Sequence, residues 1–463
     1  MPVPATSPFA ALSRRRFLAL TGGVALGATV LSACGSGGGA GGDQIDFWGA
    51  FASKDIENYF AQHFIDGYND SAGADALPLK MTVKQIDTLD RLTQTAVASG
   101  SGPDIVTTTG PAQTLSYVSN GNLRPLDEYV EKFGWQDSFL PWALDVGRVD
   151  GKLYSLPSNF ETMAVYFNPR TLEDNGWTAP TTLAEFEALC ADAKGKGLTP
   201  VGAGNAEWKP ASEWHVTWVW NAFAGPEALY QALTGKLRWT DPVFVDSIAL
   251  LKGWFDKGWF GGSTDRYFTN KFTTIYEDLA SGGTALFFNG GWTFTEIGAY
   301  FGEAAGNDAP WDWAPLPTLR DGVPAGVYPL SVGMAASVNK DCAQPADAAA
   351  VLDFLLARPQ SQFASLAATG LPPSPVKVTE QDFPADTDPR VKRQYLQLSQ
   401  AQHIGYTTWT FWPPKSDTYI YEELEKVLVG QVSPAEYCAG LDKLFQEELK
   451  AGSLPPIPAP QGA

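Results

Sequence analysis

The chain has 463 residues, with 51 acidic and 32 basic side chains, and its formal charge at pH 7 is −19. This acidic balance argues against binding to nucleic acid or to an anionic membrane surface, since both require a basic patch. The length exceeds the size at which one hydrophobic core keeps growing, so we expect at least two domains.

The N-terminus predicts an exported lipoprotein. Three arginines from Arg14 precede an apolar run that ends at Ala33 and is interrupted by glycines, which is typical of a signal peptide rather than a membrane-spanning helix. The order SRRRFL matches the twin-arginine export pattern, and LSAC resembles the bacterial lipobox, in which Cys34 would receive a diacylglycerol. We interpret residues 1–33 as signal peptide and 34–42 as the lipidated cysteine with a glycine-rich tether.

Export would leave a more acidic protein on the outer face of the cell membrane. The signal segment holds three arginines and no acids, so its removal changes the formal charge to −22. No later apolar run is long enough to span a bilayer, and we expect only the acyl chains to hold the protein there, at about 0.8 kcal/mol per buried CH₂.

The other cysteines predict neither a disulfide framework nor a metal site. Cys190, Cys342 and Cys438 are odd in number and lack short metal-like spacing. Cys190 and Cys438 lie within helical apolar patterns, and we expect both to be core residues.

The first part of the chain alternates strands with helices, which indicates an α/β sheet covered on both faces. The predicted elements are the strand QIDFWGAF, the helix KDIENYFAQHFIDGYND, the strand LKMTVKQI, the helix DTLDRLTQTAVASGSG, the strand PDIVTTTG and the helix AQTLSYVSNG.

The middle and the end of the chain contain further strands and more helices. A strand pair is predicted around the turn at Asp150 and Gly151, with a following strand up to Asn168. Thr182 and Glu185 have capping-box spacing and predict the start of a helix. The later predictions are the strand GTALFFNGGW, the extended segment WDWAPLPTLRDG, the strand VYPLSVGMAASV, the helix QPADAAAVLDFLLARPQSQFASLAA and two tail helices.

Five segments follow one another along the chain: SGPDIVTTTGPAQTLSYVSNGNLRPLDEYV, VDGKLYSLPSNFETMAVYFNPRTLEDNGW, FNGGWTF, WAPLP and NKDCAQPADAAAVLDFLL. In this order they resemble the extracellular solute-binding proteins of ATP-binding-cassette (ABC) importers, in the maltose-binding-protein-like branch. This resemblance covers nearly the whole chain after the tether.

The resemblance implies a type II periplasmic-binding-protein fold, in which hinge strands join two discontinuous α/β lobes. We expect the crossings near Leu156 to Ser158, between Val323 and Ser331, and near Leu371 to Pro375. The implied lobes are residues 43–157 plus 326–370 and residues 158–325 plus 371–463. Closure of such lobes traps a solute between them.

The resemblance also implies the function of a receptor that captures a sugar or an oligosaccharide and delivers it to the permease subunits of an ABC importer. A lipid anchor and a tether would raise the local concentration of the receptor beside its transporter. We expect a monomer that binds its ligand without catalysing a reaction, and that needs no cofactor, metal or nucleic acid.

A sugar site combines flat aromatic surfaces with carboxylates or amides, because a sugar ring has apolar C–H faces and a hydroxyl edge. The resemblance places such groups at Trp48, Thr108, Thr109, Glu161, Glu213, His215, Trp292 and Trp412, with Trp409 as the alternative to Trp412. The chain has Thr108 where maltose-binding protein has tryptophan and Pro111 where it has aspartate, so maltose itself is not the expected ligand.

Several of these residues have alternative interpretations. Glu213 fits a solvated or capping acid equally well, and His215 lacks the spacing of a metal ligand. Glu161 and Glu213 could also serve a secreted carbohydrate-active enzyme that uses two carboxylates. A peptide, a polyamine or a sugar acid could replace the sugar as ligand. Four other tryptophans lie in regular helical or strand patterns and are expected in the core: Trp218, Trp220, Trp254 and Trp259.

Overall fold

The structure is a computed structural model that describes residues 42–85 and 88–460. The predicted signal segment with Arg14, the lipid-attachment residue Cys34 and all of the tether except Gly42 lie outside these residues. Within them, no helix combines the length and the apolar character needed to cross a membrane.

The strands are short and are distributed along the whole described chain. In chain order they are β1 (Ile45–Gly49), β2 (Leu79–Val83), β3 (Ile105–Thr108), β4 (Arg148–Val149), β5 (Lys152–Leu153), β6 (Ser155–Pro157), β7 (Glu161–Phe167), β8 (Thr199–Gly202), β9 (Thr284–Gly290), β10 (Asp312–Ala314), β11 (Tyr328–Ser331), β12 (Ala335–Val338) and β13 (Ile404–Tyr406).

Helices fill most of the sequence between the strands. The α-helices are α1 (Lys54–Phe60), α2 (Gly67–Ser71), α3 (Leu89–Ala98), α4 (Pro111–Ser119), α5 (Asp127–Phe133), α6 (Trp135–Ser138), α7 (Pro169–Asp174), α8 (Leu183–Gly195), α9 (Ser212–Val219), α10 (Pro226–Leu233), α11 (Pro242–Asp256), α12 (Thr264–Tyr267), α13 (Phe272–Ser281), α14 (Thr293–Glu296), α15 (Pro345–Leu356), α16 (Pro359–Thr369), α17 (Pro389–Ser399), α18 (Thr408–Phe411), α19 (Pro414–Leu428) and α20 (Pro434–Lys450). π-helical turns occur at Ala61–Asp66 and Trp220–Ala224.

The larger strands form two separate mixed sheets, which confirms the predicted two-lobed α/β fold. The first sheet has the order β2-β1-β3-β12-β6, and the second has the order β13-β11-β7-β9-β8 with β10 beside β7. All seven residues of β9 are buried, as expected for a central strand with both faces covered. Each sheet combines strands from distant parts of the chain, so both lobes are discontinuous.

The chain crosses between the sheets at 158–160 and again at 332–334. We expected the second crossing between Val323 and Ser331, but β11 still pairs with β7 and β13 in the second sheet. The predicted single strand VYPLSVGMAASV is therefore two strands in different lobes. The proposed third crossing lies beside the first, because Phe160 N–H donates to the carbonyl oxygen of Pro373 (2.9 Å).

Local sequence signals account for several turns and helix ends. Asp150 and Gly151 have φ values of 50° and 78°, which the predicted tight turn between β4 and β5 requires. Thr182 caps α8 by accepting a hydrogen bond from Glu185 N–H (3.3 Å). Cys190 and Cys438 are fully buried, which confirms their predicted place in the core. The cysteines of the described part are free.

Candidate ligand-binding site

Glu161 lies where the chain enters the second lobe. It is the first residue of β7, directly after the 158–160 crossing, and in the antiparallel register it pairs with Ser331, the last residue of β11 before the other crossing. The backbone of Gly291 runs beside it, since a Cβ at Gly291 would lie 3.6 Å from Glu161 Cβ. Glu161 is therefore fixed at the boundary between the lobes by two neighbouring strands and a turn.

The Glu161 side chain is half-buried, and among the described residues its carboxylate accepts no hydrogen bond and joins no ion pair. Burial raises the pKa of Glu161 from its ordinary value to about 7, because a carboxylate partly removed from water has no donor or cation to stabilise its charge. An acid with free lone pairs at a lobe boundary can accept hydrogen bonds from a ligand.

Two partly exposed tryptophans lie next to Glu161. Trp409 Nε1–H donates to Ser331 Oγ (2.8 Å), so its indole is held beside the strand position opposite Glu161. Trp292 follows the Gly290-Gly291 turn, and the ring centroids of Trp292 and Trp409 are 6.0 Å apart in an edge-to-face arrangement. The structure thus brings Glu161, Trp292 and Trp409 together.

The glycines before Trp292 have a steric role. The indole packs so closely on the backbone of Gly290 that a Cβ there would clash with three ring atoms. Gly291 N–H donates to the carbonyl oxygen of Thr162 (3.0 Å) and fixes the turn. The sequence FNGGW therefore positions this ring through a close backbone approach that only glycine allows.

Trp214 and Phe272 extend the aromatic surface, and the sequence analysis missed both. The ring centroids of Trp214 and Trp292 are 5.2 Å apart, and Trp214 stacks on Phe272 at 5.6 Å. Trp214 is 9% exposed, while Phe272 is half-buried. We call the four rings Phe272, Trp214, Trp292 and Trp409 the aromatic row. The segment SEWHVTWVW contains Trp214, but helical spacing alone did not tell which face of α9 points toward the lobe boundary.

The predicted residues of the first lobe differ in their availability. Trp48 is partly buried at the end of β1, with Lys84 Nζ 4.3 Å from its ring centroid. Thr109 is exposed, and its N–H and hydroxyl both donate to Gln113 Oε1 (2.6 and 3.2 Å). Thr108 is 2% exposed, with its hydroxyl 2.9 Å from Thr114 Oγ1. Thr108 therefore stabilises this loop and is not part of the candidate site.

Glu213, His215 and Trp412 are buried inside the second lobe. His215 is 4% exposed among Phe255, Phe260 and Tyr267, and burial lowers its pKa to about 3. Trp412 is 2% exposed and packs on the buried rings of Trp220 and Trp239. Glu213 is 4% exposed and accepts a hydrogen bond from the Thr408 hydroxyl (2.6 Å). We expected these three side chains to contact the ligand, and this expectation is corrected, because neighbouring side chains bury each of them.

The arrangement suits recognition better than covalent chemistry. Flat ring faces provide apolar area, and one unpaired carboxylate provides directed acceptors. Glu213, the second carboxylate that a glycosidase mechanism would require, is buried and bonded to Thr408. Within the described residues, no group of three or more His, Cys, Asp or Glu side chains could hold a metal ion.

A comparison with known protein families decides the class. The family model described as "Bacterial extracellular solute-binding protein" matches residues 65–392, which is more than half of the chain. The chain belongs to this family of bacterial extracellular solute-binding proteins.

Individual relatives match over shorter segments. A probable sugar-binding periplasmic protein of Rhizobium meliloti (strain 1021) is 31% identical over 180 residues, covering 35% of this chain and 42% of that protein. The diacetylchitobiose binding protein NgcE of Streptomyces coelicolor is 26% identical over 160 residues, covering 32% and 34%. The matched segments thus span less than half the length of these relatives.

Solved structures match over nearly the whole fold. A chitin oligosaccharide binding protein has a TM-score of 0.70 at 22% identity, covering 88% of this chain and 100% of its own. The bacterial solute receptor AcbH has a TM-score of 0.71 at 14% identity, covering 89% and 99%. Both comparisons agree with the two-lobed fold.

Proposed function

We propose that this solute-binding protein is a membrane-tethered extracellular receptor that captures a sugar or an oligosaccharide between its lobes and delivers it to an ABC importer. The observation that carries the proposal is the juxtaposition of two partly exposed tryptophans, Trp292 and Trp409, with the unpaired carboxylate of Glu161 at the lobe boundary. The relatives described as sugar-binding and diacetylchitobiose-binding proteins support the same ligand class.

In this proposal the aromatic row forms the second-lobe wall of the cleft, and sugar rings stack on it. One stacked ring face contributes on the order of 1 kcal/mol at about 25 cal/mol per Å² of apolar area. Glu161 accepts hydrogen bonds from sugar hydroxyls, which fixes the orientation of the ring. Trp48 and Thr109 complete the site from the first lobe.

Titration calorimetry with N,N′-diacetylchitobiose, maltotriose and D-galactose tests the site. Trp292→Ala should weaken every sugar that binds, because it removes stacking area. Its control is Trp177→Ala, since Trp177 is a partly exposed indole of the same lobe that bonds to Asp192 outside the aromatic row. Unchanged binding by Trp292→Ala would refute the site, and release of shortened sugar during the titration would indicate an enzyme instead.

Glu161→Gln should change the ranking of the sugars, because an amide offers one acceptor and one donor group where the carboxylate offers two acceptors. Loss of a charge-assisted hydrogen bond should weaken the preferred sugar by about 1.5 to 3 kcal/mol, roughly ten- to a hundredfold. Glu173→Gln, at an exposed position on α7, is the matched control. An unchanged ranking would remove Glu161 from the ligand contacts.

The tether and the export route are tested in cells. Cys34→Ala should release the protein from the membrane fraction or leave it unprocessed, because the acyl chains are its proposed anchor. Replacing Arg14 and Arg15 together by lysine should stop export, because receptors of the twin-arginine pathway read the arginine pair. Membrane association that survives Cys34→Ala would refute the anchor, and normal export of the double variant would refute the export route.

A further inference from the structure

Glu213 is a second carboxyl group, buried on a helix that carries a ring of the aromatic row, and the proposed function gives it no role. Glu213, on α9, is 4% exposed, and Thr408 Oγ1 of α18 donates to its Oε2 at 2.6 Å. Thr408 N–H also donates to Thr217 Oγ1 of α9 (3.2 Å). These bonds join two helices of the second lobe that are far apart in sequence.

The neighbour of Glu213 is another acid. Asp417, in the first turn of α19, faces Glu213, and its buried Oδ1 finds no donor if both acids are ionised. A proton on Glu213 would give the acid pair a donor, while Glu213 Oε2 still accepts from Thr408. Burial and the charge of Asp417 raise the pKa of Glu213 well above its ordinary value, which agrees with this assignment.

Within residues 42–85 and 88–460, no cation near Glu213 could replace the proton. Glu448 of α20 faces Asp417, and it accepts bonds from the N–H groups of Lys415 and Ser416 and from the Ser416 hydroxyl. Tyr437 of α20 also faces Glu213, and its hydroxyl donates to the Ile420 carbonyl oxygen (3.0 Å). The other charged side chains on the helices and turns packed against α9 are exposed or paired with each other: Lys209, Asp246, Lys252, Asp256, Lys415, Glu422, Glu423, Glu425 and Lys426.

The two helices that the Glu213–Thr408 hydrogen bond joins, α9 and α18, each carry one ring of the aromatic row. Trp214 directly follows Glu213 on α9, and Trp409 directly follows Thr408 on α18. We propose that Glu213 is a positioning residue which, while it carries a proton, fixes the positions of Trp214 and Trp409 on either side of Trp292 through Thr408 and Asp417, and that loss of this proton loosens the aromatic row and weakens ligand binding. The binding half of this proposal rests on the proposed function.

The direction of the pH effect follows from the raised pKa. The folded chain keeps a proton on Glu213 that the unfolded chain loses above the ordinary glutamate pKa, so the contribution of this group to stability falls as pH rises through the folded-state pKa. Two adjacent buried carboxylates then repel each other in a medium that screens them poorly. Sugar affinity should fall over the same interval.

The protonation is tested without a ligand. Difference infrared spectroscopy of the native full-length protein minus Glu213→Gln at about pH 7 should show the carbonyl band of one protonated carboxylic acid. The thermal unfolding midpoint should fall with rising pH in a Glu161→Gln background, and it should fall less when Glu213→Gln is added. The Glu161→Gln background is needed because Glu161, whose pKa burial raises to about 7, makes its own contribution to the pH dependence of stability. An absent band, or equal slopes in both backgrounds, would overturn the proposal.

The coupling to ligand is tested by calorimetry with the tightest-binding sugar of the three above. Glu213→Gln keeps an acceptor for Thr408 and a donor for Asp417, so it should bind within about twofold of the native protein at low pH. The ratio of the Glu213→Gln affinity to the native affinity should then be about tenfold or more larger at high pH than at low pH. A tenfold change in this ratio corresponds to a difference of about one between the pKa of Glu213 in the free protein and in the bound protein. The contribution of Glu161 cancels in this ratio.

Glu422→Gln is the matched control, because Glu422 is an exposed acid on the same helix as Asp417 and should follow the native profile. A constant ratio between Glu213→Gln and the native protein at all pH values would overturn the coupling. Absence of binding by all three sugars would overturn the proposed function together with the coupling to sugar, while the infrared band would still decide the proton on Glu213.

Discussion

Replacing Glu161 by glutamine should make the protein more stable at neutral and alkaline pH. Burial raises the pKa of Glu161 to about 7 in the folded chain, above its ordinary value of 4.5. The folded state therefore holds a proton that the unfolded state has lost within this interval. The contribution of Glu161 to the free energy of unfolding is fully present below about pH 4.5, falls as pH rises through about 7, and then stays constant.

The size of the effect follows from the same two values. Each pKa unit corresponds to about 1.36 kcal/mol, so ionised Glu161 lowers the free energy of unfolding by up to ~3 kcal/mol above about pH 7. Water at this half-buried side chain reduces the value, which makes ~3 kcal/mol the upper limit. Such a cost at an unpaired acid is typical of a group kept for function rather than for stability.

Urea unfolding of native protein and Glu161→Gln between about pH 4.5 and pH 9 measures this difference. The variant should match the native protein at the lowest pH and exceed it increasingly up to about pH 7. Glu173→Gln, at an exposed position, should follow the native curve throughout. A constant difference between Glu161→Gln and native protein across the range would refute the assignment of a raised pKa to Glu161.

Two further substitutions test the crossing and the aromatic row. Asn159 Oδ1 accepts hydrogen bonds from the N–H groups of residues 333 and 334 (3.1 and 2.8 Å). At about 1 kcal/mol for each bond, Asn159→Ala should lower the free energy of unfolding by about 2 kcal/mol in a urea titration. An unchanged unfolding midpoint would contradict a role of Asn159 in joining the crossings. Gly290→Ala should displace the Trp292 ring and weaken sugar binding in calorimetry. The control Gly298→Ala should bind sugar normally, because an added Cβ there meets no atom within 4 Å. Equal sugar affinities of the two variants would refute the packing role of Gly290.

The second crossing shows where sequence periodicity stops being informative. The segment VYPLSVGMAASV has one continuous apolar pattern, yet its two halves pair with different sheets. Ser331 ends the second-lobe strand and Ala335 begins the first-lobe strand. Strand pairing over long sequence distance decides this division, and no local preference encodes it.

Prediction of the candidate site from the sequence meets the same limit. Glu161 and Trp292 could be proposed because the family resemblance implies a sugar-binding carboxylate after the first crossing and a stacking tryptophan in the segment FNGGW. The sequence could not tell whether Trp214 or the adjacent His215 on α9 faces the lobe boundary, nor whether Trp409 on α18 or Trp412 just after that helix does so. Packing against Phe260 buries His215, and packing against Trp220 buries Trp412.

The sequence by itself determined the α/β class, the turn at Asp150 and Gly151, and the cap at Thr182, because these depend on the periodicity and the backbone preferences of a few neighbouring residues. Only the tertiary structure decided which side chains meet at the lobe boundary. Ser331 orients Trp409 beside Glu161 from a position 78 residues away in the chain. Such contacts depend on how distant strands pair and on which faces the remaining side chains cover, and both are properties of the folded chain as a whole.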